Sequence, residues 1–218
     1  MHSGLCARRV WSALGSALTL SLVAGAPALA DPLLPGTSLV PVIGEPDPTG
    51  GTTVAWMSQP FNSPGFYSGT LTSVVISGDP SNPYGGLTFV YIINNEPTSR
   101  HSLGRLTVNG YGGFLVDASF KSPVALGDTA PAIADRDAVG DMIGFSFFAG
   151  LNGSNRVLPG GVSAMLVLQT NATSWTDTFA SVINGNVVTV PTFSPVPGPG
   201  AAALGVIGLA AASRRRRR

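Results

Sequence analysis

Thiols are nearly absent from this chain of 218 residues: its one cysteine, Cys6, precedes an apolar run close to the N-terminus. A single sulfur forms no intrachain disulfide, and the body of the chain holds no thiolate metal ligand or cysteine nucleophile. Cys6 also stands before the apolar run, whereas a lipidated cysteine follows one. Histidine is scarce too. Beyond the first segment only His101 occurs, so no two-histidine metal site forms. No Gly-x-Ser-x-Gly turn supplies the nucleophile of a Ser/His/Asp triad. His101 therefore reads as a surface residue.

Charge is sparse and unevenly spread. Arg8 and Arg9 lie in the first segment and Arg214 to Arg218 close the chain, which leaves Arg100, Arg105, Lys121, Arg136 and Arg156 in between. Against these five stand all eleven acidic residues, so the middle carries a net −6 although the whole chain is +1. Phosphate binding needs a basic face, and an acidic middle excludes a nucleic-acid partner. Sustained helical periodicity with caps at both ends is also missing. The nearest candidate, Ala130 to Met142, is broken by aspartate, glycine and proline and predicts at most a short helical turn.

What is present begins with a secretory signal over residues 1 to 30. Arg8 and Arg9 supply its positive region, Val10 to Val23 its apolar run, and Ala28-Leu29-Ala30 the small-x-small pattern that signal peptidase cuts, after Ala30. Residues 31 to 51 are rich in proline and glycine. Their extended stretch, Ser38 to Ile43, contains Pro41 and so predicts an edge strand or a strap along a sheet.

From residue 52 onward the chain reads as strand after strand. Thr52 to Ser58, Phe66 to Ile76, Leu87 to Ile93, Leu103 to Val108, Gly113 to Phe120, Met142 to Phe148, Val162 to Gln169, Trp175 to Ile183 and Val187 to Val190 are rich in β-branched and aromatic residues. Pro, Gly and Asn clusters separate them. Leu87 to Ile93 carries bulk on both faces, as a central strand does. In Met142 to Phe148, Ile143, Phe145 and Phe147 alternate with Gly144 and Ser146, which makes Phe145 and Phe147 core candidates. Asn184-Gly185-Asn186 between two such runs predicts a hairpin. The expected fold over residues 31 to 190 is all-β, an antiparallel β-sandwich of jelly-roll type, flanked by an N-terminal signal helix and a short C-terminal transmembrane helix.

The tail is the most informative stretch. A Pro-rich linker over 191–199 leads to a small-residue apolar run over 200–213 and then to the arginine block, 214–218. Fourteen residues rise about 21 Å as a helix against a hydrocarbon core of roughly 30 Å, so the run is a short span with a temporary rather than a permanent hold. The positive-inside rule places Arg214, Arg215, Arg216, Arg217 and Arg218 in the cytoplasm and the β-domain outside.

Val196, Pro197 and Pro199, the apolar run and the arginine block together resemble the PEP-CTERM class of bacterial protein-sorting signals. Gly198 stands where that class usually has glutamate. The resemblance covers about a tenth of the chain. It implies recognition by an exosortase, a membrane-embedded cysteine transpeptidase that cuts near the motif and hands the protein to the cell surface or extracellular matrix. The middle of the chain resembles, loosely, the uncharacterised β-rich domains that precede such tails.

Candidate ligand-binding residues are few. Asp128, Asp135, Asp137 and Asp141 form the densest acidic cluster. Alternating oxygen ligands suit Ca²⁺, yet the spacing Asp135-x-Asp137-x-x-x-Asp141 lacks the EF-hand pattern, and a solvated loop with Arg136 pairing locally is the simpler reading. Tyr67, Tyr84, Tyr91, Tyr111, Trp56 and Trp175 are candidates for stacking on sugars. Tyr84 and Tyr111 lie in glycine-rich turns and are the expected exposed pair. Asn152-Gly-Ser154 and Asn171-Ala-Thr173 fit the glycosylation triplet.

Three functions are open to such a chain: a non-enzymatic surface or matrix protein, a carbohydrate-binding module with exopolysaccharide as partner and Ca²⁺ as a conceivable ligand, and a secreted hydrolase. Paired carboxylates for the last have no support in the spacing.

Overall fold

The computed structural model describes residues 32–42, 50–121, 128–148 and 155–196, and within them every regular element is a strand. The signal segment with Ala28 and Ala30, the sorting-motif residues Pro197 and Pro199, the apolar run and Arg214 to Arg218 lie outside the described residues, as do Ile43 and Asn152 to Ser154.

Eleven strands form two antiparallel sheets. One sheet orders β2 (Thr52–Ser63), β3 (Tyr67–Ser77), β4 (Thr88–Asn95), β9 (Met165–Thr170) and β6 (Val116–Lys121). The other orders β1 (Ser38–Leu39), β7 (Ile133–Arg136), β8 (Ile143–Ser146), β5 (Arg105–Val108), β10 (Trp175–Asn184) and β11 (Asn186–Pro195). Inward side chains from both sheets meet in one core. Leu71, Phe89, Ile93 and Leu168 come from the first sheet, and Leu106, Phe145 and Val182 from the second. This is a β-sandwich: each strand buries the alternate residues that face the other sheet and leaves the rest outside. Phe145 and Phe147 are fully buried, as their alternation requires.

Polar bonds also cross the core. The buried hydroxyls of Ser73 on β3 and Thr192 on β11 lie 2.6 Å apart. The Tyr67 hydroxyl lies 3.0 Å from the Val182 carbonyl oxygen and 2.8 Å from that of Asn186.

Four elements differ from the sequence reading. The strand expected to stop at Ser58 continues through Pro60 to Ser63. A proline has no N–H to give a ladder, but β2 is an edge strand with one neighbour, where that loss is tolerated. The same reason carries β11 past the boundary expected at Val190, through Pro191 to Pro195, so the first half of the expected linker belongs to the sheet. Within Ala130 to Met142, where a helical turn was the most the sequence predicted, β7 forms instead and pairs with β1 and β8. The Asn184 to Asn186 hairpin is present, but it turns on Gly185 alone, at φ +74°, with no asparagine in the left-handed region.

The strap prediction holds for Ser38 and Leu39, which pair with Asp135 and Ala134 at the edge of the second sheet. Just before them, Pro32 bridges to Asp117 and the Leu33 amide donates to the Val116 carbonyl, so the strap passes from the edge of one sheet to the edge of the other.

The registers fix which loops share an end. Ile183 pairs with Arg105, Arg105 with Ser146, and Ser146 with Ile133. In the other sense Val108 pairs with Ile143, and Ile143 with Arg136. The loops 33–37, 109–115 and 137–142 therefore lie at one end, together with Trp175 and Pro195. The hairpin at Gly185, the loop after β4 and the start of β5 lie at the other. Both the first and the last described residues, Pro32 and Val196, sit near the first of these ends.

Candidate functional site

The end from which the chain leaves is organised by Arg136, the last residue of β7. Ala134 and Arg136 lie on the inward face of that strand, so the guanidinium enters the protein rather than the solvent, and Arg136 is buried. Its Nε donates to the Gly140 carbonyl at 2.9 Å, Nη1 to Leu33 at 3.0 Å, and Nη2 to Tyr111 at 2.7 Å and Phe114 at 3.0 Å. One planar cation thus ties the strap, the loop after β5 and the β7–β8 turn together, and no carboxylate is among its hydrogen-bond partners.

Burial pulls the guanidinium below its ordinary range, while Asp137, Asp141 and Tyr84 act in the opposite direction. Arginine remains charged in proteins, so the four carbonyls hold a cation. The expected solvated Arg136 is corrected by this geometry.

Beside it, Tyr111 is fully buried, contrary to its expected exposure, and Tyr84 is half-buried. The Tyr111 ring belongs to the core shared by the two sheets. The ring packs edge-on against Phe89, with centroids 5.8 Å apart. The Tyr91 hydroxyl donates to the Phe193 carbonyl at 2.8 Å and lies 2.6 Å from the Tyr111 hydroxyl, so its proton is committed and Tyr111 is the donor between them. Burial raises both phenols well above their ordinary value. Gly110, at φ +94°, completes the join: a Cβ there would stand 2.5 Å from Ser194 Oγ, so a side chain would push the end of β11 away.

Asp135, Asp137 and Asp141, three of the four carboxylates considered for Ca²⁺, each accept a hydrogen bond. Asp135 takes a two-pronged bond from Arg105, with Nη2 to Oδ1 at 2.6 Å and Nη1 to Oδ2 at 2.5 Å, and the same Nη1 reaches Ser146 Oγ at 2.6 Å. Asp137 Oδ1 accepts from the Met142 amide at 3.1 Å, and Asp141 Oδ1 from the Gly112 amide at 3.3 Å. Asp128 lies at the opposite end, where burial raises its carboxyl above the usual value. Among the described residues no three His, Cys, Asp or Glu side chains are grouped to hold a metal.

Among the described residues, two of the wider concave regions lie elsewhere. On the outward face of the first sheet, Trp56, Val74, Val90 and Val167 form a row across four strands. Trp56 is 63% exposed and borders a hollow of about 230 Å³ with Thr53, Ile92 and Met165. At the end opposite the chain exits, Asp128, Arg156, Leu158 and Gly161 border a wider recess of about 560 Å³. His101 is exposed there and stacks on Phe66, with centroids 5.6 Å apart, which agrees with a surface role.

The sequence reading missed the Arg136 hub, and it named Trp56 among the stacking candidates but took Tyr84 and Tyr111 for the exposed pair. Period-two alternation from Ala134 to Arg136 carried the first signal. The second needed the knowledge that β2 is an edge strand and that Trp56 faces outward.

Val196, the first residue of the expected sorting motif, is pinned to the domain. Its amide donates to the Ser174 carbonyl at 3.1 Å, and Ser174 Oγ donates to the Val196 carbonyl at 3.0 Å. Among the described residues no helix is long and apolar enough to cross a membrane. In comparisons with known proteins, no family model, curated sequence or solved structure matches the chain.

Proposed function

We propose that this is an exported, non-enzymatic cell-surface or matrix protein. Its β-sandwich has a jelly-roll-like wrap, since connected strands repeatedly change sheets. In this reading signal peptidase removes residues 1 to 30, and an exosortase-like transpeptidase acts at Val196, Pro197 and Pro199. The run 200–213 holds the chain briefly in the membrane, and Arg214 to Arg218 stay on the cytoplasmic side.

The observation that carries it is the pairing of a secretory signal with a tail of motif, apolar run and basic block, in that order. The fold is compatible with it. The described chain starts and stops at one end of the sandwich, with Pro32 bridged to Asp117 and Pro195 paired with Trp175.

Replacing Arg214 to Arg218 with serine should abolish surface delivery and leave the tail uncut, as read by cell fractionation and mass. Unchanged delivery and tail removal would overturn the sorting reading.

A second reading, a carbohydrate-binding module, is favoured by one observation. Trp56 lies open on a sheet face beside the hydroxyls of Thr53, Ser58 and Thr72, a flat apolar ring with polar neighbours of the kind that stacks on a sugar. A glycan array probed with the protein and with Trp56→Ala, each with and without Ca²⁺, decides it. Binding lost with the indole supports the reading, and no binding in any arm removes it.

A further inference from the structure

The end held together by Arg136 presents three large apolar side chains to the outside, one from each loop that the guanidinium joins. Leu34 of the strap is 54% exposed, Leu115 of the loop before β6 is 53% exposed, and Val139 at the tip of the β7–β8 turn is 76% exposed. They belong to one surface. Leu33 and Val116, their chain neighbours, share a backbone hydrogen bond, and the Gly36 amide donates to Asp137 at 2.8 Å. Gly36 also faces the Ala138 backbone, next to Val139.

An exposed loop tip ordinarily carries Gly, Asn, Asp or Ser. Three apolar tips fixed on a rigid support mark a surface that meets something apolar.

The chain itself indicates what that is. Only Pro197, Gly198 and Pro199 separate Val196 from the apolar run over 200–213. Four chain steps span at most about 14 Å, even fully extended. A domain whose tail is in the bilayer is therefore held with this end against the headgroups. The surface next to the exit is suited to that position: Trp175, which pairs with Pro195, is 38% exposed, and tryptophan favours the membrane–water boundary.

We propose that this end docks on the membrane, with Leu34, Leu115 and Val139 entering the lipid interface while the tail is inserted. The proposal rests on the sorting reading for the position of the tail. It also specifies the lipid. Asp137, Asp141 and Asp177 lie at this end and its one base among the described residues, Arg136, is buried against carbonyls, so a zwitterionic surface suits it and an anionic one repels it. Docking turns the Gly185 hairpin and the recess beside Asp128 and Arg156 away from the bilayer.

The test uses the full chain with Cys6→Ser and single cysteines at Leu34→Cys, Leu115→Cys or Val139→Cys, with Val187→Cys near the hairpin as control. Each carries an environment-sensitive fluorophore and is reconstituted into phosphatidylcholine vesicles, then titrated with aqueous iodide. The three end labels should shift to the blue and lose their quenching, the Val187 label should do neither, and added phosphatidylserine should weaken the shielding.

Vesicles that float with the chain while all four labels quench equally overturn the docking and leave the sorting reading intact. A chain that does not float with the vesicles overturns both. Shielding that disappears below one copy per vesicle identifies a second copy of the chain as the cover, and overturns the lipid assignment.

Discussion

The two ends of this sandwich are built on different principles. At the chain-exit end, three loops without regular structure are held by a buried cation, a pair of buried phenols and a glycine that lets β11 approach. At the opposite end the buried bonds come from neutral groups, Asn95 Nδ2 donating to the His101 and Val157 carbonyls at 3.1 and 2.9 Å and the Tyr67 hydroxyl to Val182 and Asn186, and surface contacts flank them. His101 stacks on Phe66, Arg156 lies over the Phe148 ring at 5.1 Å, and Arg156 also donates to Asn184 Oδ1 at 2.8 Å. The first arrangement fixes loops relative to each other because each polar group is buried and has a defined partner. The second combines neutral buried donors, whose loss costs less than that of a buried cation, with partly exposed side chains whose contacts solvent weakens. Substitutions should therefore cost more at the exit end.

The largest effect is expected for Arg136→Leu. It leaves the carbonyls of Leu33, Tyr111, Phe114 and Gly140 without their donor in a buried site. The loss should be about 3–5 kcal/mol by urea unfolding, comparable to removing one partner of a buried ionic contact. A loss below about 1 kcal/mol, the size of an exposed pair, would erase the contrast between the ends.

Tyr111→Phe should cost less, about 1–2 kcal/mol, because one buried hydroxyl is removed while Tyr91 keeps Phe193. It also sharpens the comparison through pH. Both phenols titrate higher in the folded protein than in the unfolded chain, where tyrosine ionises near about pH 10. The unfolded state therefore releases protons first. Stability is complete below about pH 10 and falls as pH rises above it, by roughly 1.4 kcal/mol per pH unit for each phenol. Tyr67, also raised by burial, adds the same sign at the other end. The alkaline slope of Tyr111→Phe should be shallower than that of the parent, and identical slopes would show that this pair does not govern it.

Gly185→Ala is the smallest, at about 1 kcal/mol, the cost of placing a side chain at positive φ in an otherwise open turn. A cost equal to that of Arg136→Leu would mean that the hairpin end is as tightly determined as the exit.

The difference between the ends also explains what could be read in advance. Alternation marked Phe145 and Phe147 as core and the asparagine–glycine pair as a hairpin, since those signals are local. Pro60 and Pro191 stopped the strand reading too early, because a proline's tolerance depends on whether its strand has one neighbour or two, and sheet order is not a local property. Tyr111 and Arg136 were misplaced for a related reason. A tyrosine between glycines and an arginine between aspartates have the composition of a solvated loop, and only the convergence of four carbonyls from separate segments makes a buried cation favourable there. The aspartates were read as a group because they are neighbours in sequence, whereas the strand pairing commits Asp135 to Arg105 on one sheet face and leaves Asp137 and Asp141 in the turn.

The extension of β11 to Pro195 sets a limit on where the domain can be severed from its tail. A shortened chain ending at Val190 would lose Thr192, the partner of Ser73, and the Phe193 carbonyl that receives the Tyr91 proton, and so would open the core from its edge. A chain ending at Val196 keeps both, together with the two bonds to Ser174. The last residue the fold requires is thus the first residue of the expected recognition motif, and any enzyme that frees this domain intact has no margin on the domain side of its cut.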